Sequence, residues 1–455
     1  KTGGLGDVSR ALPDALRAQG HDVRICMPGY PTALERMTAP VAQPAITVPW
    51  PSGARLVEMV LDDRTDAAPA VFFLDVGFDT ARPYHDDMRD HFAAARRFAL
   101  FSRAVATYAR AWGADVIHLN DWQTGLVPVY GLVDGAIPPT VFAIHNLAYQ
   151  GNIPFELLPQ IGVPPAFMRT ENGVEFFGAA SLMKAGIALS DRLVTVSPTY
   201  SREIQTPEYG NGLDGLLRFR RNVLHGILNG IDVDAWNPRN DTLIEATYHG
   251  GSLKRKGLNR AALVSELALE PERPVIAMVT RLAHQKGIDM ALAAIPAIIG
   301  AGASLAVLGD GDAGYEHAFA GAAAALPGRV AARFVFDEGL AHRLYAGGDF
   351  FLMPSLYEPC GLGQMIAQRY GTPPIVRSTG GLADTVEDGI NGFAFDSPST
   401  GALAHAVSRA LAHWNAKGWT ALRQQCMRID HSWNSSAAEY ERLYEAATAA
   451  RAASV

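Results

Sequence analysis

The stretch PVIAMVTRLAHQKGIDMALAAIPAIIGAGASLAVLGDGD, residues 274–312, reads as a short apolar strand, a polar loop, an apolar-faced helix and a second apolar strand. Strands apolar on both faces are buried on both faces, and two of them joined through a helix pair in parallel. Working outward from VIAMVT (275–280) and SLAVLG (304–309), the segments ARFVF (332–336), DFFLMP (349–354) and PPIVRS (373–378) repeat the pattern, and GFAF (392–395) is a candidate closing strand. This is a doubly wound sheet. Toward the N-terminus, DVRICM (22–27), DVIHLN (115–120), TVFAIHN (140–146), RLVTVS (192–197) and VLHGILNG (223–230) alternate with helices read over 5–19, 91–111, 121–133 and 178–190. Residues 45–75 alternate apolar and polar side chains instead and predict an antiparallel excursion. The expected fold class is therefore α/β, two doubly wound Rossmann-like domains facing a deep cleft, with ligands beyond the carboxyl ends of the strands.

At 455 residues the chain exceeds what one core fills, so two domains of roughly 200 residues are expected. We read them as 1–240 and 250–430, with a terminal helix in 431–455 packing back on the first. The formal net charge of −7 argues against a nucleic-acid or anionic-membrane partner, so any phosphate site must be a local cluster of cations. Cys26, Cys360 and Cys426 are odd in number and form no CxxC pattern, which suits a reducing, cytoplasmic setting. No apolar run approaches the ~20 residues of a membrane span, and no signal peptide opens the chain. The opening KTGGLGDV is a glycine turn that in such a fold follows a first strand, so the numbering is expected to begin just after that strand.

Candidate chemistry sits just after the strands. Arg281 and Lys286 follow VIAMVT, and a guanidinium fork with a mobile ammonium can clamp a diphosphate without metal; two solvated loop cations would leave the same pattern. Thr379, Gly380 and Gly381 stand between a strand and a helix, where backbone N–H groups can meet an anion, although a plain tight connection reads the same. KTGGLGD repeats that logic with Lys1. Glu358, after DFFLMP, can accept hydrogen bonds from sugar hydroxyls or simply favour a helix N-terminus. Cys360 reads as a small buried residue rather than a nucleophile. His145 and Asn146 end one strand of the first domain, and Asp121 and Trp122 follow another. Asp310 and Asp312 have the DxD spacing of a divalent-metal site, but a diphosphate already clamped by two cations needs none, so no metal or cofactor is expected.

Taken together, KTGGLGDV, DRLVTVSPTYSREIQTPEYGNGLDGLL, GILNGID, TRLAHQKG, YEPCGLGQ and STGGLADTV resemble, in order and across almost the whole chain, the bacterial glycogen synthases and the related plant starch synthases. The resemblance implies a GT-B fold that adds glucose, usually from ADP-glucose, to the non-reducing end of an α-1,4-glucan with retention of configuration. It implies that Lys1 contacts the donor, that Arg281 and Lys286 hold its phosphates, that Glu358 grips the glucose hydroxyls and that Gly380 and Gly381 meet a phosphate. The backbone carbonyl of His145 would lie beside the anomeric centre. Tyr84, Asp121 and Asn229 would line the sugar or acceptor path, with Phe336 by the base. Further substrate contacts are implied at Gly3, Gly4, Asp7, Ser355, Cys360, Gly361, Leu362 and Thr379. The partners are then a nucleotide-sugar donor and a glucan acceptor; a homo-oligomer is left open.

Four positions depart from the family pattern: Gln123 where histidine is frequent, Gly363 where threonine is common, NGFAF in place of GTGFxF, and Ile366 where related transferases carry a second acidic residue. They bear on acceptor handling and rate more than on donor binding. The rival readings are a related enzyme using UDP-glucose or sucrose, a non-catalytic glucan-binding relative, and a phosphorylase.

Overall fold

The computed structural model describes residues 3–74, 76 and 91–452; Lys1 and Tyr84 lie outside them. The chain divides into two units, one of Lys1–Val196, Ser201–Ile227 and Asn434–Val455, the other of Ser197–Tyr200 and Leu228–Trp433. The main change of unit thus falls at 227/228, earlier than the 240 read from the sequence. The reason is local: Ile231 bridges to Ser432, and a Cβ on Gly230 would sit 2.6 Å from the Trp433 nitrogen, so this segment crosses tightly against residues of the second unit.

In the first unit, helix Gly3–Ala18 leads to β1 (Ile25–Pro28), and β2 (Pro40–Val48), β3 (Arg55–Asp62) and β4 (Ala70–Phe73) follow. They form a sheet of order β1-β4-β3-β2, parallel between β1 and β4 and antiparallel elsewhere, which is the expected excursion. Strands β5 (Ile117–Asn120), β6 (Thr140–Ile144), β10 (Arg192–Thr195) and β11 (Leu224–Gly226) make a separate all-parallel sheet of order β11-β10-β6-β5. Among the described residues no ladder joins these two sheets. Between β6 and β10 the short strands β7 (Asn152–Ile153), β8 (Glu175–Phe176) and β9 (Ala179–Ser181) form a small antiparallel sheet. The helix read over 121–133 is broken into a 3-10 turn, Trp122–Thr124, and a helix, Val127–Asp134. Gly125 explains the break: its hypothetical Cβ would lie 1.9 Å from the Leu182 carbonyl oxygen, and Pro128 then opens a new helix where its missing N–H costs nothing. The last helix, Trp433–Ala452, is tied to this unit by the Tyr444 hydroxyl at 2.8 Å from His118 Nδ1, by Arg192 donating to the Ala446 carbonyl at 2.9 Å, and by the Arg451–Asp191 ion pair.

The second unit holds β12 (Val275–Val279), β13 (Ser304–Leu308), β14 (Val330–Arg333), β15 (Phe350–Met353), β16 (Pro374–Arg377) and β17 (Phe393–Phe395), all parallel, in the order β14-β13-β12-β15-β16-β17. Helix Ile288–Gly300 covers one face with Ile288, Ala291, Ala294, Ile295 and Ile298, the 3-and-4 spacing of an apolar stripe, and leaves Pro296 on its exposed side. Each such buried isoleucine contributes about 1.5–3 kcal/mol. GFAF does close the sheet. ARFVF is over-read: β14 ends at Arg333, and Phe336 is 84% exposed on the loop beyond it. The strand order reverses between β12 and β15, and an open α/β sheet gathers ligands beyond the strand ends at such a reversal.

Candidate functional site

The loops leaving β12 and β15 are knitted together at that reversal. Lys286 Nζ donates to Glu358 Oε2 at 2.6 Å, with the side chains 18% and 7% exposed, and Ser355 Oγ donates to the same oxygen at 2.9 Å. Gln285 Nε2 donates to the Tyr357 carbonyl, the Leu356 N–H to the Gln285 carbonyl, and Arg377 at the end of β16 to the Leu356 carbonyl. Gly287 sits at φ +67° where a Cβ would fall 2.0 Å from the Pro354 carbonyl oxygen, so only glycine lets the two loops approach. A buried carboxylate without a cation is costly, and Lys286 answers that cost for Glu358. Arg281 stands apart, exposed and in no ion pair among the described residues.

Thr379, Gly380 and Gly381 lie against this loop, but their glycines are explained differently from the sequence reading. At Gly380, φ is +46° and a Cβ would lie 1.9 Å from the Glu358 carbonyl oxygen; at Gly381 it would lie 2.2 Å from that of Cys360. The Gly381 N–H donates to the Glu358 carbonyl at 3.1 Å, so that donor is engaged inside the protein. Gly361, at φ +75°, turns the chain into helix Gly363–Arg369, with Leu362 at its N-cap. Cys360 is buried and its thiol is pushed up to about 12 by burial, which makes it a packing residue. The backbone of Asn229 hydrogen-bonds its sulfur, while Asn229 Oδ1 is buried with no partner among the described residues. An orphaned buried acceptor of that kind costs about 1–3 kcal/mol and marks a place for a ligand or water donor.

Phe336 stands exposed on the loop after the edge strand β14. Asp312 caps helix Ala313–Ala325, its Oδ1 accepting from the Gly314 N–H at 2.8 Å. Gly309 and Gly311 allow the loop to pair with the one after β12, where their Cβ atoms would meet the Thr280 and Leu282 carbonyl oxygens at 1.7 and 2.3 Å. The DxD spacing is thus accounted for by a helix cap and a close backbone crossing.

In the first unit the strand ends of β5 and β6 bring Asp121 and His145 together. Asp121 Oδ1 accepts from the His145 N–H at 2.8 Å, and His145 Nε2 lies 2.9 Å from Asn120 Oδ1. Burial pushes the Asp121 carboxyl up to about 7, against the pull of the His145 and Asn146 backbone donors. Burial also pushes His145 down to about 4, so its ring is neutral at physiological pH. Gln123 Oε1 is a second buried acceptor with no partner among the described residues. Gly3 and Gly4 form the first turn of the opening helix, and Asp7 lies half-buried on it.

Sequence reasoning missed the residues that hold these groups in place. Asn120 fixes the His145 ring. Ser197 Oγ donates to the Pro359 carbonyl at 2.6 Å, and Thr199 Oγ1 donates to Asp384 at 2.7 Å, tying Ser197–Tyr200 to YEPCG and LADT within the second unit. The proximity of TVSPTY to a strand end was the available signal.

A family model described as starch synthase catalytic domain matches residues 1–219, and one described as glycosyl transferases group 1 matches 273–413. The glycogen synthase of Aromatoleum aromaticum is 45% identical, covering 100% of this chain and 95% of its own. That of Anaeromyxobacter dehalogenans strain 2CP-1 is 48% identical over 98% and 96%. Among solved structures, the catalytic domain of starch synthase IV from Arabidopsis thaliana bound to ADP and acarbose superposes with a TM-score of 0.86 at 32% identity, covering 99% and 97%. Sucrose-phosphate synthase from Thermosynechococcus elongatus, at 21% identity and a TM-score of 0.59, shares the fold.

Proposed function

Because the chain belongs to the glycogen synthase and starch synthase family of GT-B glucosyltransferases, we propose that it transfers glucose from ADP-glucose to the non-reducing end of an α-1,4-glucan with retention of configuration. The observation that carries this reading is the Lys286–Glu358–Ser355 cluster at the strand-order reversal, a cation for a diphosphate beside a carboxylate for sugar hydroxyls.

As the bond from the anomeric carbon to the diphosphate oxygen breaks, negative charge grows on the leaving group. Arg281 and Lys286 stabilise that state more than the ground state, which is what lowers the barrier. Glu358, oriented by Ser355, accepts hydrogen bonds from the glucose. Its role is to hold the ring, since no carboxylate pair spaced for a double displacement accompanies it among the described residues of the cluster. The neutral His145 ring adds no positive charge beside an oxocarbenium-like carbon, and the His145 carbonyl can ease that charge. Asp121 and Asn229 serve the sugar and acceptor. The acceptor hydroxyl attacks from the leaving-group face and gives its proton to a phosphate oxygen, so the chemistry closes without metal or cofactor.

The partners are a nucleotide-sugar donor and a glucan. No helix among the described residues is long and apolar enough to cross a membrane. We place the protein in the cytoplasm on its three free cysteines, without nucleic-acid partners on its net charge, and with a homo-oligomer as an open arrangement. The test is nucleotide release on incubation with glycogen and either ADP-glucose or UDP-glucose. Faster release of ADP is expected; preference for UDP-glucose would reassign the donor, and no release from either would overturn the reading.

A further inference from the structure

Away from the loops after β12 and β15, the second unit carries a cavity of about 360 Å³ whose lining includes Arg239, Arg369, Arg428 and His249 and no carboxylate. In a chain of net charge −7, three guanidiniums around one hollow need a reason. Arg369 and Arg428 close helices Gly363–Arg369 and Trp419–Arg428, where a cation offsets the helix dipole. That accounts for neither Arg239, which stands on a loop, nor the direction of Arg369, which donates from Nε and Nη2 to the Trp236 and Val233 carbonyls, both at 3.1 Å. Among the described residues, Arg239, Arg369 and Arg428 have no salt bridge. Burial, and the charge of Arg239, disfavour protonated Arg369 against the pull of Asp430 and, more weakly, of Tyr370 and Asp234; Asp430 Oδ1 already accepts from the Ser432 N–H at 2.9 Å. Like charges left facing one another across a concave surface are at rest when an anion lies between them.

The shape narrows the ligand. A hollow of this volume is at the small end of small-molecule pockets and too small for a polymer. No Phe, Tyr or Trp lines it, so it offers a sugar ring no stacking face. Guanidinium forks match phosphate oxygens in pairs. We propose that this cavity is a second anion site, distinct from the Lys286 loop, which takes a small phosphate-bearing metabolite. Its position gives it a lever: Arg369 ends the helix whose first turn holds Gln364, and Gln364 Nε2 donates to the Cys360 and Gly361 carbonyls beside Glu358.

Calorimetric titration of the whole protein with inorganic phosphate, and separately with a hexose monophosphate, tests it. Binding is expected in the wild type and in Lys286→Ala, and a loss of about 100-fold in Arg239→Glu/Arg428→Glu, since two charge-assisted contacts are reversed. Arg239→Gln, an exposed loop change that leaves the fold alone, should weaken binding about tenfold on its own. Tighter binding of the hexose monophosphate than of phosphate identifies a phosphosugar as the source; equal binding identifies free phosphate. The proposal is overturned if the wild type binds neither at millimolar concentration, if the arginine variants bind like the wild type, or if Lys286→Ala abolishes binding.

Discussion

The two units present opposite kinds of polarity at their strand ends. In the second unit the cluster is ionic: an ammonium 2.6 Å from a carboxylate that is also held by a hydroxyl. In the first it carries no cation, with His145 pushed down to about 4 and Asp121 up to about 7, both by burial. On the proposed function, glycosyl transfer from a nucleotide sugar makes two demands that this contrast would answer. A leaving diphosphate needs fixed positive charge, whereas a sugar carbon that becomes positive needs neighbours that add none.

Removing the charge from the second unit should hurt most. Lys286→Ala is expected to lower the rate of ADP release about 10³-fold, because it takes away a transition-state cation and strands a buried carboxylate. An effect under tenfold would break the assignment of the ionic cluster to the leaving group. Next, His145→Gln should cost about 10- to 100-fold, from the lost ring contact to Asn120, in the same release assay. If it cost as much as Lys286→Ala, the side chain rather than the backbone carbonyl would be the working part of His145.

The smaller effects concern stability. Gly380→Ala must move either its own backbone or the Glu358 carbonyl, and urea unfolding should show a loss of about 2 kcal/mol or more, with activity falling in parallel. Unchanged stability would mean that this turn is free to relax. The weakest signal is in pH. His118, His145 and His431 are lowered from 6.5 to about 3, 4 and 4, mainly by burial, so the unfolded chain takes up protons that the folded chain refuses. Their contribution is complete above pH 6.5 and lost as pH falls toward 4. Asp121, raised from 3.8 to about 7, runs the other way: its contribution is present below 3.8 and lost as pH rises to 7. Asp121→Asn removes that opposing slope, and the unfolding free energy from urea titrations taken from pH 7 to pH 4 should fall more steeply by up to about 1.4 kcal/mol per pH unit. An equal or shallower fall would show that Asp121 is ionised in the folded chain.

The fold of the second unit was legible because β12, β13, β15 and β16 are short, almost wholly apolar and regularly separated by helices. Errors came where apolar sequence leaves a sheet. Phe334–Phe336 continue the composition of β14 but not its ladder, and beyond β11 the chain reaches a crossing of Gly230 and Ile231 against Ser432 and Trp433 that local pattern does not encode. Glu358 and Lys286 were readable as residues after strands, but their pairing joins positions 72 apart and depends on which strands are neighbours. The glycines at 380–381 suggested an anion cradle; contact with the 358–360 backbone, a tertiary fact, decides their identity. Asn120 carries no local signal at all, since its importance comes from facing a histidine on the next strand.

On the proposed function, the Lys286–Glu358 pair bears on turnover as well as on rate. Before the donor arrives, the ammonium and the carboxylate neutralise each other, so neither a bare phosphate nor a bare sugar gains both at full strength. The intact nucleotide sugar can separate them and satisfy each in turn, one with a phosphate oxygen and the other with hydroxyls. Once glucose has left for the glucan, Glu358 has lost its partner and draws Lys286 back, loosening the spent nucleotide. On that reading the same contact favours loading by whole donor and unloading of product.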